Sequence, residues 1–225
     1  MAGPAFGNPP RRADIIGFLI FSHGWTWGWW LVAALLANRS GGTIWQMPAA
    51  AAFYLGGAGV MLGGIVMTGR LAGRAGLAGL ARRTLDPRPV ALRWWLLILA
   101  WYPVLTLAAA MLVAPFEAST SLDLSLAAAR LLDPAGLLLF LGFIMLIGPL
   151  PEEIGWRGFL LDRLLPHHGV LAASMVVALA WWSWHLPLGL MPGYFDAFSR
   201  RPDLLVQLAD LIPTAIIYTW IYVST

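Results

Sequence analysis

The sequence has no cysteine in its 225 residues, which excludes a disulfide framework and any thiolate metal site. It has no lysine either; all 14 basic residues are arginine, a bias read here as codon usage rather than chemistry. Charged residues of both signs together make up only 11%. No basic stripe is interleaved with aromatics on a soluble face, so nucleic acid is not an expected partner. Met1 to Pro10 is rich in Gly and Pro and lacks the small-residue cleavage site of a signal peptide, so the first apolar run is read as retained. What is abundant is apolar side chain: 60% of the residues are hydrophobic and the mean hydropathy is +0.75. That composition belongs to a membrane protein, and the length suits one compact bundle. The expected fold class is all-α, a polytopic transmembrane helical bundle of about six spans in contact with the lipid bilayer.

The apolar runs place those spans. Residues 1–14 form an N-terminal tail. Ile15 to Ala37 is the first span, about 34 Å long at about 1.5 Å per residue, enough to cross a core of about 30 Å. It holds His23, read as a helix-interface residue bonded to a neighbour, and Trp25, Trp27, Trp29 and Trp30. Four tryptophans in six residues cannot share one depth and one face, so packing against other helices is expected for most of them. Ala49 to Met67 is the second span, with Gly59 and Gly63 at a spacing that lets helix backbones approach closely. A basic loop, 70–93, carries six arginines against Asp86. Together with Arg11 and Arg12 it predicts a cytoplasmic N-terminus by the arginine bias of inward-facing connections. Leu92 to Ala114 is the third span, kinked at Pro103, and the acidic stretch Pro115 to Asp133 follows it. Residues 15–133 thus form the N-terminal transmembrane helices. The fourth helix runs from about Pro134 to Leu165, the fifth from Val170 to Leu190, and the sixth from Leu204 to Val223. The expected location is an integral, multi-pass protein, of the cell membrane if the source is bacterial.

Within the fourth helix, Glu152, Glu153 and Arg157 interrupt an otherwise apolar run. Charges at membrane depth cost about 2.5–3.5 kcal/mol each even on lenient scales and commonly mark function. Pro149 and Pro151 break the hydrogen-bond ladder just ahead of them, which is tolerated at depth where the backbone lines a cavity. Glu153 and Arg157 are four apart and can pair on one helix face. Glu152 is turned about 100° away and is left freer, as a general base requires. From the turn at Pro166 to Gly169, Glu152 lies about 21 Å back along one helix, and His185 about 24 Å up the next. The carboxylates and the imidazole are therefore expected at one depth in neighbouring antiparallel spans. There His185 can bond a carbonyl, hold a water or bind a metal. His167 and His168 fall in the turn and are read as loop residues.

Glu152-Glu153-x-x-x-Arg157, set in Pro-Glu-Glu-x-x-x-Arg-Gly-Phe-Leu, resembles the first motif of the CAAX protease and bacteriocin-processing family, also called CPBP or Abi intramembrane peptidases. Trp181-x-x-x-His185 resembles the second motif, which usually begins with Phe. The resemblance covers 134–225, the expected peptidase core. It implies an intramembrane endopeptidase acting on a peptide or prenylated-protein substrate. Glu152 would activate water, Glu153 and Arg157 would support it, and His185 would share the site. The family's usual label implies a divalent metal such as zinc, whereas the residues themselves offer neither three evident ligands nor an HExxH; the metal stays open. A third motif, His-x-x-x-Asn or Asp in a later span, is not found before Thr225, so the chain is expected to be C-terminally incomplete. Two alternative readings stand beside the peptidase: a small proton-coupled transporter, for which no inverted repeat is evident, and an inactive immunity or binding protein on the same scaffold.

Overall fold

The computed structural model describes residues 11–88, 90–113, 132–196 and 203–225. Most of the acidic stretch 115–133, the tail to Pro10, and Arg200 and Arg201 lie outside the described residues. Of the described residues 84% are helical, and no strand occurs among them, as an all-α bundle requires. The helices are α1 (Arg12–Ser40), α2 (Ala49–Gly57), α3 (Gly59–Leu85), α4 (Leu92–Val113), α5 (Pro134–Ile147), α6 (Pro149–Gly155), a π-helical turn (Trp156–Leu161), a last α-helical turn (Asp162–Leu164), α7 (Val170–His185), a 3₁₀ turn (Leu186–Leu190) and α8 (Leu204–Ser224).

Among the described residues, five stretches are long and apolar enough to cross a membrane: Ala49–Leu85, Leu92–Leu112, Pro134–Leu164, Val170–Leu190 and Leu204–Ser224. Helix α1 has 29 residues, which is ample length. Its serine, histidine, glycines and tryptophans dilute its hydropathy, so it is not among the five.

One stretch differs from the sequence-based expectation, and one break falls where Pro149 and Pro151 predict it. Residues 70–85, expected as part of a loop, continue α3 to Leu85. The stretch is rich in Ala, Leu and Arg, which are strong helix formers. The chain bends within it at Gly73, whose φ of 59° and ψ of −154° are open to glycine alone. The fourth span is not one helix. It breaks at Gly148, and Pro149 then opens α6, where a missing N–H is harmless.

The chain forms two compact units. One is Asp86–Met145, comprising α4, with Pro103 inside it, and most of α5. Mean hydropathy reaches 2.0 in both spans, and lipid rather than water matches such surfaces. In the connection before α4, Arg88 pairs with Asp86 at 2.8 Å.

The other unit is Met1–Leu85 with Leu146–Ser224. Its core gathers Phe18, Trp30, Val60, Trp156, Phe159, Leu160, Leu161, Val177 and Trp184. Apolar burial gives little drive in lipid, so association rests on close packing and interhelical hydrogen bonds. Both are present. Gly59 faces Thr26 and the Ser22 carbonyl, and Gly63 faces Phe18 and Phe21, so α3 lies against α1 as the glycine spacing predicts.

The tryptophans of α1 serve as interhelical donors. Trp25 donates to the Leu55 carbonyl at 2.8 Å and Trp30 to the Phe53 carbonyl at 3.0 Å, both toward the C-terminal end of α2. Trp27 reaches the Trp184 carbonyl at 3.1 Å. Thr26 donates to the Gly56 carbonyl and accepts from the Trp184 indole. Helix ends expose carbonyls without intrahelical partners, and these indoles and hydroxyls supply donors that lipid cannot. His23 plays the interface part expected of it, with Nε2 3.0 Å from the Ser183 hydroxyl and 3.2 Å from the Ala180 carbonyl on α7.

The closest crossing is that of α3 with α6. A methyl group at Gly155 would collide with the side chain and carbonyl of Val60. Overpacking of this kind costs about 1–3 kcal/mol, so Gly155→Ala should lower the thermal unfolding temperature of the detergent-solubilised protein. Gly24→Ala, where nothing lies within 4 Å of the added carbon, should leave it unchanged or higher. Equal behaviour of the two variants would contradict this crossing.

Candidate functional site

The four residues singled out in the sequence lie on three elements of the same compact unit. Glu152 and Glu153 sit in α6, Arg157 in the π turn, and His185 at the end of α7. The break at Gly148 starts a fresh helix only four residues ahead of Glu152. The π turn follows at once. An i→i+5 turn inserts one residue into the helical repeat and re-aims the side chains after it, and such turns are frequent at functional sites. Gly155 precedes it, against Val60, and Gly158 lies within it, under Leu80.

Arg157 is 4% exposed. Its Nη1 pairs with Glu153 Oε1 at 2.8 Å, the i,i+4 pairing expected from the spacing. Its guanidinium carbon lies 4.7 Å from the Trp181 ring centroid and 4.8 Å from that of Tyr218. One carboxylate and two aromatic faces thus stabilise a cation in an apolar interior. Its Nε and Nη2 are buried without a hydrogen-bond partner.

Glu152 is not left free, as the helical wheel suggests. Its Oε2 accepts a 2.6 Å hydrogen bond from the Trp181 indole. Trp181 also binds His185, whose Nδ1 lies 2.9 Å from the Trp181 carbonyl. A carbonyl only accepts, so Nδ1 carries the proton, and Nε2 of the neutral ring keeps its lone pair. The His185 ring packs edge-on against Trp184, centroids 4.8 Å apart. Glu152, Arg157 and His185 therefore all touch one residue of α7, and the expected convergence of the two helices is realised through it.

Sequence reasoning noted Trp181 only as a variant of the usual Phe, and it missed three further parts of the arrangement. Tyr218 closes the second face of Arg157 from α8. Tyr194 lies beyond the 3₁₀ turn, and burial first and the Glu152 carboxylate second push its phenol above the ordinary range. Asp162 and Arg163, expected in an exit turn, are instead turned inward. Arg163 is 4% exposed, and Asp162 meets Arg83 at 3.5 Å and the Tyr222 hydroxyl at 3.5 Å. The helix continues to Leu164, and this carries Asp162 onto the face of α3 and α8. His167 and His168 are exposed in the turn, as expected. A hollow of about 440 Å³ opens near the end of the 3₁₀ turn, lined by Gly42, Thr43, Met191, Phe195 and Asp196 among others; none of the four candidate residues lines it.

No three His, Asp or Glu side chains among the described residues are grouped so as to hold a metal ion. Glu153 is engaged by Arg157, and His185 by a backbone carbonyl at Nδ1. That donor set does not fit the three protein ligands of a catalytic zinc. The pairing of Arg157 has a direct energetic consequence. Arg157→Met leaves Glu153 without its partner; breaking a fully buried pair costs about 3–5 kcal/mol, and with the Glu153 side chain 35% exposed the cost here is smaller. The single variant should unfold at markedly lower temperature than the parent. The double variant Glu153→Gln with Arg157→Met should recover part of the loss; equal instability of the two would argue against a structural pair.

Comparison with known proteins supplies a family for this segment. Residues 134–225 match the family model described as Type II CAAX prenyl endopeptidase Rce1-like; the match covers less than half of the chain. CAAX prenyl protease 2 of Methanococcus maripaludis is 28% identical over 81 residues, 35% of this chain. The aligned part spans 30% of that relative's length. No solved structure matches the chain. The segment that carries Glu152, Glu153, Arg157 and His185 is thus the part of the chain that is similar to the Rce1-like family model.

Proposed function

We propose that this chain is an intramembrane endopeptidase of the CAAX prenyl protease type, in which Glu152 activates a water molecule against a peptide bond of a membrane-associated substrate. The observation that carries the reading is the junction at Trp181, where a carboxylate and an imidazole are held by one residue within an apolar bundle. In the reaction Glu152 takes a proton as the water oxygen attacks the scissile carbonyl carbon. The C–N bond then breaks, and the same proton passes to the leaving nitrogen, yielding a new carboxylic acid and a new amine. The Nε2 lone pair of His185 accepts from the water and aims it. Glu153 and Arg157 hold the helix that presents Glu152. No step runs through a metal.

The substrate class is a peptide or a prenylated protein tail, reached from within the bilayer. The N-terminus faces the cytoplasm on the arginine bias of Arg11 and Arg12, and, if the source is bacterial, the protein resides in the cell membrane. The test is cleavage of a farnesylated peptide reporter by the purified protein in lipid nanodiscs, with products read by mass spectrometry. Glu152→Gln should lower the rate about 10³-fold and His185→Ala about 10²-fold, the span of a positioned acid–base group. Cleavage by Glu152→Gln at the parental rate would overturn the reading.

A further inference from the structure

Trp181 occupies the position at which the resembling motif usually carries Phe, and it touches every candidate residue but Glu153. Its indole N–H lies 2.6 Å from Glu152 Oε2. Its ring covers Arg157 at 4.7 Å and lies 6.3 Å from that of Tyr218. Its backbone carbonyl holds His185 Nδ1 at 2.9 Å. A phenyl ring here would keep the carbonyl contact, which is backbone, and would still offer a face to Arg157. It could not supply the N–H. The indole hydrogen bond is therefore a separable addition made by this sequence.

The remaining surroundings make the bond consequential. Glu152 has three rotatable side-chain bonds in a fresh helical turn bounded by Gly148 and Gly155. Its neighbour Glu153 is already oriented by Arg157, whereas the hydrogen bond the structure gives Glu152 is the one from Trp181. An N–H to an ionised carboxylate is among the stronger hydrogen bonds. An indole is also anchored by its own bulk: Trp181, partly buried, packs against the core of the unit.

We propose that Trp181 is a positioning residue for this active site: its indole N–H fixes the Glu152 carboxylate in the orientation from which it meets the water, while its carbonyl fixes the tautomer of His185. The proposal rests on the peptidase reading for its kinetic consequence, but the hydrogen bond itself can be observed without turnover. Trp181→Phe removes the N–H and preserves the ring. It should lower kcat about 10- to 100-fold, leave KM within about twofold, and leave the unfolding temperature close to the parent, as expected for a group that acts through another.

The second measurement reads the bond directly. In the ¹⁵N-labelled protein, the indole resonance that vanishes in Trp181→Phe identifies Nε1–H of Trp181. That resonance should lie downfield among the indole signals and should move upfield in Glu152→Ala. Parental kcat and KM in Trp181→Phe would overturn the positioning role, and a Trp181 resonance indifferent to Glu152→Ala would overturn the bond. If the wild type cleaves no reporter, that counts against the peptidase reading, and the resonance then decides the Trp181 assignment by itself.

Discussion

A guanidinium sealed in an apolar bundle constrains everything around it. Arg157 cannot reach water and cannot give up its charge, so its stabilisation has to come from neighbours. Glu153 supplies the opposite charge one helical turn back, and Trp181 and Tyr218 supply aromatic faces from α7 and α8. Three elements are thereby tied to one side chain. With Glu153 committed, the adjacent Glu152 points about 100° away around the helix, and there it meets the indole of Trp181. The geometry of the candidate site is a consequence of how one buried cation is accommodated.

The rest of the unit supports that arrangement by the means available in lipid. Glycines let α3 run close to α1 and α6. Indole N–H groups and a threonine hydroxyl reach carbonyls on neighbouring helices. These bonds matter more than apolar burial, because lipid is as apolar as the side chains it would replace. The π turn adds an irregularity of its own between Gly155 and Asp162. It is tolerated because its surroundings are packed protein: Trp156, Phe159, Leu160 and Leu161 are wholly buried.

Much of this was legible in the sequence. Long apolar runs mark the helices, and charged residues inside one of them mark the candidate site. The i,i+4 spacing of Glu153 and Arg157 gives their pairing, and the equal distances from the turn at Pro166 bring Glu152 opposite the helix of His185. What escaped depends on three-dimensional detail. The helicity of residues 70–85 is hidden because arginines resemble a loop by charge while favouring helix by propensity. The π turn leaves no periodicity in so short a stretch. The hydrogen bond from Trp181 depends on the direction of an indole edge, which no spacing rule supplies. The inward turn of Asp162 and Arg163 follows from the helix ending two residues after Asp162, a boundary that Leu165-Pro166 alone does not fix.

The central claim is that Glu152 faces the protein interior and is held there. Because the chain has no cysteine, a spin label attached to a single introduced cysteine reports one position only. A label at Glu152→Cys in nanodiscs should be strongly immobilised and show little collision with dissolved oxygen. A label at Leu205→Cys, where the native side chain is 72% exposed, should be mobile and readily reached by oxygen. A label at 152 as mobile and oxygen-accessible as the one at 205 would place the carboxylate against lipid and contradict the account.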